Sequence, residues 1–270
     1  MPGRPPKEFQ QYIITPTNAH VSNNSYKESP ATAFLKYTVE AKDAINHCIK
    51  KFPKLTNGEY GKDSKDSLQY LVVATLPAIM GHFETYQRYL FAGAFDYSIY
   101  LKGFNVDSFI KALGKGFAID LVRLAAYRGD GIASIGALLA DNLPGWQNPY
   151  TVNEHFKAFG FGHNFYSDEN CDQLMILWQL RHSIVHTGGT LTLADSQKVD
   201  KLRSFGGMTI AFENTFIFEV SRKFHRIVKL STSNFGSDFC SRLIDNTPKN
   251  IQKKITKLFE VKSSIAAWLK

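Results

Sequence analysis

From Ser29 onward, apolar residues recur every three or four positions. In "SPATAFLKYTVEAKDAINHCIKKF" Phe34, Tyr37, Ala41, Ile45 and Cys48 or Ile49 fall on one side, which predicts an amphipathic helix. Ser29 stands as its N-cap, and Pro30 takes the first helical position, where its missing N–H has no helical partner to lose; Pro53 ends the helix. "LTNGEYGKDSKDS" then reads as a loop by its Gly, Asn, Asp and Ser content. A long apolar helix follows from about Ser67 to Leu90, with a kink expected at Pro77. Shorter helices are predicted over residues 105–114, 117–127 and 131–140. "DNLPGWQNPY" is a turn, and "TVNEHFKAFGFG" a short helix closed by glycine.

The next helix starts at Asp168 or Asn170 and runs to His186, where Gly188 and Gly189 stop it. "TLADSQKVDKLRSF" reads as a short helix or capped turn. "MTIAFENTFIFEVSRKFHRIVKL" changes period: its first half alternates, so a short strand or extended stretch is expected near 208–213, with helix from about Glu213. In the last helix, "PKNIQKKITKLFEVKSSIAAWL", Ile251, Ile255, Leu258, Ile265 and Leu269 share a side. Strands and helices do not alternate, which argues against a doubly wound sheet, and no repeat or low-complexity linker interrupts the chain. The expected fold is mainly α: a helical bundle over residues 29–270 with a C-terminal helical extension, preceded by an irregular arm over 1–28 rich in Pro, Asn, Ser and Gln.

Composition changes this picture little. The 270 residues are 44% hydrophobic with 21 Phe and 12 Tyr, enough for a sizeable core without disulfide staples. A formal net charge of +8 permits an anionic partner, nucleic acid first, without requiring one. Cys48, Cys171 and Cys240 are odd in number and far apart, so they build neither a zinc ribbon nor a disulfide framework; this fits a reducing, cytoplasmic setting. "MPGRPPKEFQQYIITP" lacks the apolar run of a secretory signal, and the most apolar window, Leu68 to Phe83, is too short and too polar at its ends for a membrane span. "GRPPK" at 3–7 is faintly similar to a minor-groove hook, but Pro2 stands where a further basic residue belongs, and a solvated tail is the simpler reading.

The chemistry concentrates in "LWQLRHSIVHTGG", Leu177 to Gly189. With Arg181 at zero on a helical wheel, Leu174, Leu177, Leu180 and Ile184 form an arc toward the core. His182 falls at roughly 100° and His186 at roughly 140°, so the two imidazoles are neighbours. Met175, Trp178 and Val185 share their sector. A helix apolar on two sides is buried on two sides, so the second side should meet another helix layer or a second subunit.

Arg181, four intervening residues and His186 resemble the arginine–x4-6–histidine motif of the HEPN superfamily, with His182 in place of the polar residue that usually follows the arginine. The context "VNEHFKAFGFG…LMILWQLRHSIVHTGG" is similar to a helix, a Gly-bounded break and the motif helix of that family. "HFETYQRYL" is similar to its long N-terminal helix with an acidic residue, Glu84, in an apolar run. The resemblance spans about residues 30–230. It implies a HEPN-like helical bundle and a metal-independent endoribonuclease acting as a homodimer, with a toxin or phage-defence role and an antitoxin or other regulatory partner among the settings of the family. Arg181, His186 and His182 would be the catalytic set, with no cofactor and no metal. An inactive HEPN-like binding or assembly module is the alternative it leaves open.

Those residue types suit the chemistry. RNA carries its own nucleophile, the ribose 2′-hydroxyl; imidazole can take or give a proton near neutral pH; guanidinium grips phosphate oxygens. A structural role remains possible, since cations favour a helix C-terminus. His182 and His186 at i, i+4 could also hold a metal, but no glutamate follows His182 and only Asp195 offers a further ligand. His163 is read as a loop residue, His225 as a surface residue, and the basic run "RKFHR" as a solvated face that could touch phosphates. "ALGKGF" at 112–117 lacks the phosphate-loop frame.

Overall fold

The computed structural model describes residues 23–114 and 134–263, and the fold is mainly α-helical. The helix expected over 117–127 and residues 1–22 of the arm lie outside the described residues. So do Ile265 and Leu269 of the last helix. Helix α1 (Asn23–Glu28) takes the last six residues of the segment read as an arm, because Tyr26 is drawn into the core and its hydroxyl bonds His82 Nδ1 at 2.8 Å. Helix α2 (Pro30–Lys51) begins and ends where Pro30 and Pro53 place it, although Ser29 makes no side-chain cap. The Ser29 hydroxyl instead donates to the Glu260 carbonyl at 2.9 Å.

Helix α3 (Lys62–Tyr97) is the axis of the molecule. It is longer than its apolar pattern predicts, absorbing the polar end of the expected loop and running on through Pro77. Leu68, Val72, Leu76, Ile79, Met80, Phe83, Tyr86, Leu90 and Phe91 are all fully enclosed. That burial needs neighbours on several sides. They are α1, α2, helix α5 (Ile135–Asn142), helix α7 (Asp168–His186), helix α9 (Phe216–Ser241) and helix α10 (Lys249–Leu258). Helix α4 (Val106–Leu113), capped by Asn105, and helix α6 (Pro149–Lys157), capped by Asn148, complete the far side of an aromatic core in which Phe91, Phe109, Phe156, Phe159 and Phe235 meet edge to face. Among the described residues no helix is long and apolar enough to cross a membrane.

Two expectations are corrected. The strand near 208–213 reduces to a single antiparallel bridge between Thr190 and Thr209, and helix begins at Phe216 rather than Glu213. The alternating side chains serve a small satellite lobe, which includes the short helix α8 (Leu193–Ser196), rather than a sheet, since Ile210 packs on Leu191, Val199 and Leu202. The last helix stops at Leu258. There Phe259 turns into the core against Phe239 and the backbone of Gly236, and the Glu260 carbonyl accepts hydrogen bonds from Ser29 and Thr32, so tertiary contacts win over continued helix.

Helix α5 crosses α3 at Gly136, where an added Cβ would lie 2.1 Å from the Ala92 carbonyl oxygen. Gly136→Ala is therefore expected to destabilise by about 1–3 kcal/mol, as overpacking does. Gly81→Ala, in α3 with open space around it, should stabilise by about 0.5–1 kcal/mol. Urea unfolding of the two variants checks the pair, and equal effects would mean that the α3–α5 approach is not tight.

Candidate active site

The site is built at the end of a helix whose start is fixed from within the core. Asn153 on α6 clasps the backbone of Tyr166, its Nδ2 donating to the carbonyl at 2.9 Å and its Oδ1 accepting the N–H at 2.7 Å. The Tyr166 hydroxyl accepts from Gln87 Nε2 on α3 at 3.1 Å. Buried hydrogen bonds of this kind fix one geometry. Ser167 then caps α7 by accepting the Asn170 N–H, and Cys171, Leu174, Leu177 and Trp178 anchor the helix in the core. Gly188 and Gly189 take φ of +62° and +80°, a left-handed conformation that ends the helix just past His186, and the Gly189 N–H returns to the Ser183 carbonyl at 3.1 Å.

Arg181, His182 and His186 come together at this end. Arg181 Nη1 lies 3.5 Å from His186 Nε2, and the two imidazole rings are 4.8 Å apart. Guanidinium only donates, so a hydrogen bond in that contact requires Nε2 as the acceptor. Arg181 Nε is buried with no hydrogen-bond acceptor among the described residues. An unmet buried donor of this kind costs about 1–3 kcal/mol. His186 is exposed and His182 about half exposed, so a single chain leaves the imidazoles open to solvent.

The second face of α7 differs from the wheel's reading. Trp178 turns to the main core, its ring 6.4 Å from that of Phe83, rather than sitting with the histidines. Met175, Ile176 and Leu180 pack against the satellite lobe of Leu191, Val199 and Leu202. The expected second layer is thus partly this chain's own 190–210 segment, while Val185 remains 48% exposed.

That lobe brings a residue that sequence reasoning weighed only as a metal ligand. Asp195, nearly buried, lies 4.0 Å from His182 Nε2 and is held by Lys198 at 2.8 Å and the Thr192 hydroxyl at 2.9 Å. The Lys198 ammonium keeps the Asp195 carboxyl below its usual value, Thr192 and His182 adding to this and burial opposing it. Its T-x-x-D spacing after Thr192, a helix-start signature, was the available signal. Among the described residues no three His, Cys, Asp or Glu side chains gather as a metal-binding group.

The remaining candidates lie elsewhere. Glu84 pairs with Arg88 at 2.7 Å in a cluster with Ala140, Asp141 and Trp146, a structural role. His163 faces Asp238 at 3.0 Å. His225 is not a surface residue: it is only 9% exposed, because its side of α9 turns inward. Part of "ALGKGF" lies outside the described residues. Fold and site together define a mainly α-helical protein with an Arg/His cluster at a helix C-terminus. Comparison with protein-family models, curated proteins and solved structures finds no match.

Because the folded Asp195 carboxyl titrates below its ordinary 3.8, its contribution to stability is present above that pH and is lost as pH falls through the lower folded value. Asp195→Asn is expected to cost about 1 kcal/mol at pH 7. The gap from wild type in urea midpoints should close below pH 3.8. A gap independent of pH would separate Asp195 from its ionic partners.

Proposed function

We propose that the chain is a HEPN-type, metal-independent endoribonuclease that cuts RNA at a site shared between two copies. The observation that carries this reading is the Arg181–His186 approach of 3.5 Å beside a buried Arg181 Nε that lacks an acceptor. A phosphate oxygen pair is the kind of acceptor that Nε and Nη2 take together as a fork, leaving Nη1 on His186. One imidazole would remove the proton of the ribose 2′-hydroxyl as its oxygen bonds to phosphorus. The bond to the 5′-oxygen then breaks, and a second imidazole returns a proton to that oxygen, giving a 2′,3′-cyclic phosphate and a 5′-hydroxyl. Arg181 would hold the charge that grows on the phosphate. His182, with Asp195 at 4.0 Å, is oriented to support whichever proton step His186 does not take.

Exposure supports the homodimer. Solvent-open imidazoles need a cover to work in a dry cleft, and Val185, Leu193, Phe205 and Met208 are each about half exposed or more, on the motif helix and its adjoining lobe. The net charge of +8 suits RNA. Restraint by an antitoxin or other regulatory partner, and a toxin or defence role, belong to the same reading. The competing reading, a catalytically silent binding module, is favoured by the same Arg181–His186 contact if it serves only to occupy the two side chains.

Incubation with total RNA in EDTA separates the two. Arg181→Ala and His186→Ala should each lower cleavage by about 10²-fold or more with melting unchanged, and the wild-type products should end in 2′,3′-cyclic phosphate. Variants that cut like wild type, or no cleavage by any of them, would overturn the nuclease reading.

A further inference from the structure

A second site lies at the opposite end of α7. A cleft of about 460 Å³ opens between the start of α7 and the basic face of α9, within the size range of small-molecule pockets. Arg222, Lys223 and Arg226 form its basic wall. Arg222 is engaged by Glu219 at 2.7 Å, with the Lys223 charge also acting on that carboxylate, but neither Lys223 nor Arg226 makes a salt bridge among the described residues. His225 also lines the cleft, is only 9% exposed, and has no hydrogen-bond partner among the described residues. A largely buried imidazole that lines the cleft without a hydrogen-bond partner, beside two cations that make no salt bridge, can take a ligand atom.

The facing wall is the first turn of a 19-residue helix, whose dipole favours an anion, although Asp168 and Glu169 stand in that turn and Ser167 already accepts the Asn170 N–H. Asn170 lines this wall with an amide that can both donate and accept; Gln173 beside it is engaged by Glu169, the one acid on the rim, at 3.3 Å. Ile227 and Leu230 add an apolar surface. A lone phosphate would need only the cations. The amide and the apolar surface fit a ligand that joins a phosphate to a flat, hydrogen-bonding ring.

We propose that this cleft binds a nucleotide through its phosphate, at a place separate from the Arg/His cluster. Asn170 and His186 are sixteen residues apart, about 24 Å along the helix. On the wheel Gln173 and the two histidines face nearly opposite ways, so one phosphate cannot touch both sites. The proposal does not depend on nuclease activity. The phosphate is carried by a free mononucleotide or by an RNA strand, and the test distinguishes these.

Calorimetric titration of the full chain with AMP, inorganic phosphate and a short oligoribonucleotide is the test, using protein carrying His186→Ala so that RNA stays intact. Lys223→Glu with Arg226→Glu, both on exposed side chains, should leave the melting temperature unchanged and weaken binding roughly tenfold or more. Loss of AMP binding would identify a free nucleotide, and loss confined to the oligonucleotide an RNA strand; either supports the proposal. Arg181→Ala should leave AMP affinity within about twofold. The proposal is overturned if neither probe binds, if the double charge reversal changes nothing, or if phosphate binds as tightly as AMP.

Discussion

Phe83 sits where the helices converge. Its ring lies 4.5 Å from that of Phe224 on α9, 5.3 Å from Phe34 on α2 and 6.4 Å from Trp178 on α7, with Tyr86 and Tyr166 beside it. Close aromatic packing in a dense interior leaves little room for any partner to shift without opening a void. The positions of α2, α7 and α9 are therefore set by contact with one stretch of α3. A helix apolar around much of its girth cannot stand alone in water, and the rest of the fold is the means of enclosing it.

The candidate site inherits its geometry from that enclosure. Helix α7 is fixed at its start by Asn153, Tyr166 and Gln87 and along its body by Leu174, Leu177 and Trp178. Arg181, His182 and His186 ride on its last turns, held rigidly from below yet reaching the surface. A rigid support with an open end suits groups that must meet a large substrate or a second chain, because positioning is set before binding. The satellite lobe adds Asp195 and Lys198 to the same edge, so the surface near the histidines carries both signs of charge.

The two ends of α7 are chemically different places. Its C-terminal end gathers imidazoles and a guanidinium, where the dipole already favours cations. Its N-terminal end faces the basic wall of α9, where the dipole and the α9 cations favour an anion and Asp168 and Glu169 of the first turn oppose it.

The helices were legible in the sequence wherever period and caps agreed: Pro30 and Pro53 bracket α2, the glycine pair closes α7, and spacing alone made His182 and His186 neighbours on it. Those signals are local, so the chain carries them without knowing its neighbours. Trp178, His225 and Phe259 were misjudged, or lay beyond reading, because which side of a helix is covered depends on what packs there. Trp178 turned to Phe83, His225 turned inward on α9, and Phe259 ended α10 by entering the core. Asp195 reached His182 only through the folding-back of a segment nine or more residues further along. Periodicity and capping are written in neighbouring residues; burial, and the meeting of groups distant in the chain, are decided by how the whole surface of α3 is covered.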